Sequence, residues 1–376
     1  MDWSRVLGWI KKPKLWQTPG SVIGVDIGFS SVKVVQIKTE QGRLILETYG
    51  EIATGPYGDL AVGQAINLNT EQIVTLLDDL FREANVTSRT GAIAIPLRSS
   101  LLVTMEVPEV SNKELPQVVS LEARKYVPVP ISEVALDWWV IPKKIDEEIT
   151  IPTRERENTL KTKMVEVLVA AIHNDTLKQY QAIAQAAKLD TRFFEIETFG
   201  AIRSSLGTEL SATAILDLGA GTAKMTIVDY GIVRVSHTIN KGAQDITTAV
   251  SRSLGVSFAK AEEIKRKVGL MEQVGEEHIA PTVNPMIEFI FSEVNQVILD
   301  YQRKYSRAVN KIILIGGGSL LAGLPEVAKG LVETPIVLGE PFDRVEAPPF
   351  LTDVLAEAGP SFAIALGVAL RVLNNH

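Results

Sequence analysis

The amino-acid sequence predicts an α/β protein built from two related halves, and three stretches carry that prediction. Residues 22–37 place two apolar, β-branched runs around a turn that holds Asp26, Gly28, Phe29, Ser30, Ser31 and Lys33. Such flanks read as the arms of a β-hairpin with a bent tip. Residues 215–228 repeat the design with Asp217, Gly219, Ala220, Gly221, Thr222 and Lys224. In both copies the Asp stands two residues before the Gly and seven before the Lys. Residues 311–321 form an apolar strand that runs into Gly316, Gly317 and Gly318, followed by Ser319 and Leu321.

The chemistry of these turns is specific when they occur together. Gly28 can take a positive φ and lets backbone N–H groups point into one concavity. Ser30 and Ser31 add short donors, and Lys33 adds a point charge that reaches a phosphate. Asp26 and Asp217 suit a hydrated Mg²⁺, which takes one or two carboxylates plus phosphate oxygens. One such hairpin alone fits an ordinary solvated turn equally well. Two of them, about half a chain apart, would clamp a polyphosphate between related halves. Backbone without side chains at the glycine triplet permits close approach by a flat ligand such as adenine and its ribose.

The remaining elements follow in order. Residues 1–20 hold Trp3, Trp9 and Trp16, with Trp3, Val6, Leu7 and Ile10 at helical spacing beside Arg5, Lys11, Lys12 and Lys14. This leader fits a weak membrane-surface or partner contact, or packing on its own domain. Residues 43–50 read as a third strand, Thr70 as the N-cap of an amphipathic helix over 71–81, and residues 91–96 as a buried strand stopped by Pro96. Strands followed by a helix and a strand indicate a mixed α/β layer.

Residues 97–190 break the rhythm. A strand over 101–108 precedes a helix over 115–126, capped by Ser111 and with Pro116 in its first turn. Paired strands over 135–141 and 164–172 flank a charged loop, 143–163, that reads as a solvated hairpin tip. An amphipathic helix over 175–188 follows. An insertion of this size buries its own small core. Trp138 and Trp139 are consecutive in a strand and point to opposite sides. Either one lines a groove for an extended peptide, or both are buried at the junction with the first half.

In the second half, residues 192–201 are a strand turning into a helix, with Glu197 at the junction. An acid there is also an ordinary helix N-terminal residue. A strand over 233–239 leads to a helix from 242. Ser257 caps a helix over 259–267 on which Glu262, Lys265 and Arg266 share a face. A long helix over 285–307 precedes the glycine triplet. A helix over 322–331, a strand over 336–338 and a crossing with Pro341, Pro348 and Pro349 complete the half. The Ala/Gly-rich helix over 360–371 has side chains small enough for a close crossing at a hinge.

Bulk properties narrow the function. The 376 residues allow two or more domains. A hydrophobic content of 46% with 22% charged residues describes a folded globular chain. A net charge of −7 argues against nucleic-acid binding through bulk charge. The absence of cysteine excludes disulfides, thiolate nucleophiles and Cys-based zinc sites. The four histidines, His173, His237, His278 and His376, form no metal-ligand pair in sequence. No apolar run reaches the roughly 18–20 residues of a membrane span, and no signal peptide is evident, so the cytoplasm is the default address.

From residue 21 to 373 this constellation resembles the actin-like ATPase superfamily, with residues 22–37 as phosphate loop 1, 215–228 as phosphate loop 2 and 311–321 as the adenosine loop. The resemblance implies ATP and Mg²⁺ between two domains. It places Glu197 where a residue orients the attacking water, although Thr198 stands where relatives often carry Pro. It sets Glu262 on the ribose, with Lys265 and Arg266 beside the base. Residues 121–137 look like the signature of the type IV pilus assembly protein PilM family, in which an FtsA-type inserted subdomain (an SHS2 domain) sits on the first actin-like domain. The implied layout is a leader over 1–20; domain 1 over 21–190 and 346–376, with the insertion at about 97–190; and domain 2 over 191–345, with a helical subdomain at about 250–310. The implied role is a cytoplasmic, ATP-binding platform at the inner membrane for type IV pilus assembly and twitching motility. It would hold the N-terminal cytoplasmic tail of PilN and meet other inner-membrane pilus components. It would bind no nucleic acid, touch the membrane indirectly or through the leader, and hydrolyse ATP weakly or not at all. The alternatives are an FtsA-like cell-division adaptor, disfavoured by the lack of a C-terminal membrane helix, and a small-molecule kinase of the same fold, disfavoured by the lack of a clear substrate acid.

Overall fold

The computed structural model describes residues 20–142, 163–271 and 279–373. The Trp-rich leader and most of the charged loop fall outside the described residues. The chain opens with β1 (Ser21–Ile27), β2 (Ser31–Glu40), β3 (Arg43–Ala53), α1 (Thr70–Glu83) and β4 (Thr90–Ile95). Next come β5 (Ser100–Pro108), α2 (Leu115–Ala123), β6 (Val134–Val140) and β7 (Met164–His173). The first half ends with α3 (Asn174–Ala186), β8 (Asp190–Ile196) and α4 (Glu197–Ser205). The second half contains β9 (Thr213–Leu218), β10 (Ala223–Asp229), β11 (Ile232–Ile239), α5 (Ala243–Leu254), α6 (Phe258–Val268), α7 (Ala280–Tyr305), β12 (Lys311–Ile315), α8 (Leu324–Lys329) and β13 (Ile336–Leu338). Helix α9 (Thr352–Leu373) closes the described chain.

The two halves share one plan. Their sheets run β3-β2-β1-β4-β8 and β11-β10-β9-β12-β13. In each, the first three strands of the half form an antiparallel meander, and two later strands add in parallel. One face of the first sheet packs with α1 and α3 around Leu76, Leu77, Phe81 and Ile183, all buried. The second sheet packs with α5, α6 and α7 around Met225, Val250, Ile264 and Phe291.

Between the halves lies α9, whose Phe362, Ala365 and Val368 join Val22 and Val35 of one sheet to Ile215 and Ile313 of the other. Small residues make this crossing possible. A Cβ built on Gly367 would overlap the carbonyl oxygen of Gly200 in α4, and one on Gly24 would overlap the carbonyl oxygen of Ala365. Close by, buried Glu195 is held by Arg203 of α4 (2.8 Å) and by Arg371 of α9. A buried carboxylate needs such pairing to stay charged. Burial works against it, but the two guanidinium groups hold it below the usual carboxylate range.

Several sequence expectations shift. Asn69, not Thr70, caps α1, through a reciprocal capping box with Gln72. Helix α2 stops at Ala123 and has no side-chain cap, because Ser111 lies in a separate turn ahead of it. Helix α7 starts five residues before Pro285, with Pro281 in its first turn, where a missing N–H costs nothing. Helix α9 starts eight residues before Pro360, whose carbonyl accepts from Gly316 N–H (2.8 Å). That extension makes residues 349–373 long and apolar enough to cross a membrane by length and composition, against the expectation of no such run. The stretch is mostly buried as the central core helix.

The insertion is also shorter than 97–190. Its own sheet, β5-β7-β6 with α2 on one face, ends at His173. Helix α3 packs in the domain 1 core and β8 pairs with β4. The chain therefore leaves the first sheet only after Ile196, later than the expected boundary at 190. Trp138 packs on the insertion's core and Trp139 on that of domain 1, so the two do point to opposite faces.

Candidate functional site

The two meanders turn the same way at their tips. Gly28 N–H donates to the Ser31 carbonyl at 3.1 Å, and Gly219 N–H donates to the Thr222 carbonyl at 3.1 Å. Strand register sets Asp26 opposite Lys33 and Asp217 opposite Lys224. The third turn follows β12, which lies beside β9, so Gly316 arrives against Asp217. Gly316 has φ +83, and a Cβ there would collide with the Asp217 carboxylate.

These three turns line one cleft between the halves, with a volume of about 320 Å³. Of the expected residues, Asp26, Gly28, Phe29, Ser30, Ser31, Lys33, Glu197, Asp217, Gly219, Ala220, Gly221, Thr222, Lys224, Glu262, Lys265, Arg266, Gly316, Gly317, Gly318 and Leu321 all reach it. Ser319 does not. It is buried, and its hydroxyl donates to the Gly316 carbonyl at 2.7 Å, which shapes the turn; Leu320 lines the cleft instead.

Charge in the cleft is arranged around the lysines. Lys224 Nζ lies 3.1 Å from Glu197 and 3.2 Å from Asp217. Burial alone would pull this ammonium down, yet the two carboxylates hold it well above the usual lysine range. Glu197 opens α4 and is buried; it also accepts Leu97 N–H at 2.6 Å. Lys33 donates to Ser31 Oγ at 2.7 Å and pairs with Glu51 at 3.2 Å. Burial opposes charge on Glu51, but Lys33 and Ser31 hold its carboxyl below the usual range.

Asp26 is different. Among the described residues no hydrogen bond or ion pair engages its carboxylate. Protein surrounds it except where it faces the cleft, and burial pushes it up to about 7 against the pull of Lys33. On the opposite wall, Glu262 is buried between Lys265 and Arg266, each at 2.7 Å, and bonds the Thr247 hydroxyl at 2.6 Å. The shared helical face is thus both an ion-pair cluster and a cleft wall. Burial lowers Lys265 below its usual range despite Glu262.

Among the described residues no group of three or more His, Cys, Asp or Glu side chains could enclose a metal. The donor set still fits Mg²⁺, which keeps waters and uses one or two carboxylates with phosphate oxygens. The unpaired Asp26 and the glycine-lined Asp217 would be those two. Sequence reasoning missed Glu51 and Gly63. Gly63 (φ +88) belongs to a loop from domain 1, and a Cβ on it would meet the Glu262 carboxylate. In the same loop, Ala65 N–H donates to Gln244 of α5 at 3.1 Å, so the loop bridges the halves at the cleft.

A family model described as type IV pilus assembly protein PilM matches residues 24–373. The chain belongs to the PilM family. A solved PilM-PilN type IV pilus biogenesis complex is similar over 95% of this chain and 100% of the matched chain, with TM-score 0.77 and 23% identity. The ethanolamine utilization protein EutJ from Carboxydothermus hydrogenoformans matches with TM-score 0.52 and 14% identity, over 98% of this chain and 93% of its own. The fold is actin-like. Curated relatives include the cell division protein FtsA of Pseudomonas aeruginosa, 23% identical over 94% of this chain and 89% of that protein. FtsA of Agrobacterium fabrum is 24% identical over 55% of this chain. The chain spans about half the length of that relative. The family model is described by pilus assembly, whereas these curated relatives are cell-division proteins.

Proposed function

We propose that this chain binds ATP with Mg²⁺ between its halves and acts as a cytoplasmic platform, peripheral to the inner membrane, for type IV pilus assembly. The convergence of two matched Asp-Gly-Lys hairpins and a glycine turn on one cleft carries the nucleotide reading. Ser31, Lys33, Thr222 and Lys224 supply phosphate donors. Asp26 and Asp217 would hold the cation, which when bound neutralises phosphate charge. Glu262 faces the ribose, and Lys265 and Arg266 lie beside the base. Calorimetry with ATP and Mg²⁺ tests this; no binding by folded protein would end it.

In this reading Glu197 orients the attacking water. Its carboxylate is fixed by Leu97 N–H and Lys224, so its direction is set before any ligand arrives. With Glu197→Ala, ATP binding persists and hydrolysis falls; a wild type without hydrolysis above background under any partner condition removes the role.

The partner reading is that the insertion helps hold the N-terminal tail of a PilN-type membrane protein. A cavity of about 110 Å³ lies where the chain enters and leaves the insertion, lined by Phe29, Asn67, Arg98, Thr176, Gln179 and Tyr180. Neither Trp138 nor Trp139 lines it. Titration of a labelled tail peptide against wild type and Arg98→Ala tests this placement: weaker binding by the variant supports it, and equal binding removes it.

A further inference from the structure

The two hairpins share backbone and register but not ion pairs: Glu197 also holds Lys224, and the third-strand position opposite each lysine differs. In the second half the residue on the third strand opposite Lys224 is Thr238. In the first half the residue on the third strand opposite Lys33 is Glu51. Where that position is Thr, the lysine turns to the Asp of its own hairpin, and Lys224 sits 3.2 Å from Asp217. Where it is Glu, the lysine turns the other way. Lys33 sits 3.2 Å from Glu51 and 2.7 Å from Ser31, and Asp26 has no partner among the described residues.

We propose that Glu51 is a positioning residue that draws Lys33 off Asp26 and so leaves that carboxylate open for the divalent cation that accompanies a nucleotide polyphosphate. The second hairpin is the internal control. Its identical register shows that a lysine seven residues after the Asp reaches it without strain. Lys33 is almost fully buried, so losing its carboxylate favours another charge partner, and Asp26 stands opposite it in the strand register. Glu51 keeps 43% of its side chain exposed, so the group its removal leaves unpaired is the buried Lys33 alone. The surroundings do not offer Lys33 another free acid. Glu197 and Asp217 are engaged by Lys224, and Glu262 by Lys265 and Arg266.

This inference rests on the nucleotide reading of the cleft. Its test uses the full chain with Glu51→Thr, which copies the second hairpin, and Glu51→Gln, which keeps the shape. In both variants the expected dissociation constant for ATP in Mg²⁺ rises by roughly tenfold. The half-saturating Mg²⁺ concentration rises with it, while ATP binding in chelator changes far less. Ser31→Ala, which removes the weaker hold on Lys33, shifts Mg²⁺ dependence in the same direction by less. A crystal structure of ligand-free Glu51→Thr should place Lys33 Nζ within hydrogen-bond distance of Asp26. Unchanged Mg²⁺ dependence, or Lys33 still away from Asp26 in that crystal, overturns the proposal. If wild type binds no ATP, the nucleotide reading fails, and the crystal still decides where Lys33 goes.

Discussion

The two halves carry the same five-strand plan and the same glycine turn, yet one hairpin lysine pairs with the Asp of its own hairpin and the other with an acid on the next strand. Lys224 balances two buried carboxylates, whereas Lys33 balances one half-exposed carboxylate and a serine. Backbone hydrogen bonding fixes the turn in both halves. Which acid sits on the neighbouring strand or helix fixes what the lysine does. Duplication therefore preserves geometry while leaving electrostatics to single substitutions.

The sharpest way to break the comparison is to remove each lysine in turn. Lys224→Met strands Glu197 and Asp217 in a buried site and should destabilise the chain by about 3–5 kcal/mol. Lys33→Met leaves only the half-exposed Glu51 and should cost about 1 kcal/mol or less. Urea unfolding of both variants checks this, and equal losses would mean that the halves are electrostatically alike. Next in size, Asp26→Ala and Asp217→Ala should each weaken Mg-ATP binding by about 1.5–3 kcal/mol, roughly one to two decades. Calorimetry showing unchanged affinity in both would remove the cation role from the pair.

A pH dependence confined to the first hairpin sharpens the comparison further. Asp26 sits near 7 in the folded chain against an ordinary value of 3.8. The proton is bound more tightly in the folded state, so this group's contribution to stability is complete below about 4 and is lost as pH rises through 7. Asp26→Asn should thus raise the melting temperature of the ligand-free chain by roughly 5–10 °C at pH 8. The gain should vanish at pH 4. Thermal melts that show the same gain at both pH values would contradict a carboxyl held above its ordinary range by its surroundings.

The sequence displayed the hairpins because strand, turn and strand lie within sixteen residues of each other and the spacing repeats. It displayed the Ser257 cap and the Glu262 cluster for the same local reason. Glu51 stayed hidden because its relation to Lys33 depends on the register of a separate strand, which includes a bulge. The hydrogen bond from Leu97 to Glu197 spans a hundred residues and exists only once β4 and β8 are neighbours. Ser319 looked like a ligand donor because a hydroxyl beside glycines can serve either a ligand or its own turn, and only the folded turn shows which. The insertion's end was misplaced because α3 is amphipathic whichever core it covers.

The contact of Gly367 with Gly200 has a mechanical meaning. Two backbones touch there with no side chain between them, beside a carboxylate gripped by arginines from both helices. Nothing at that point can compress or change rotamer. Relative motion of the halves must then turn about it like a door on its pin, with displacement growing toward the lips of the cleft.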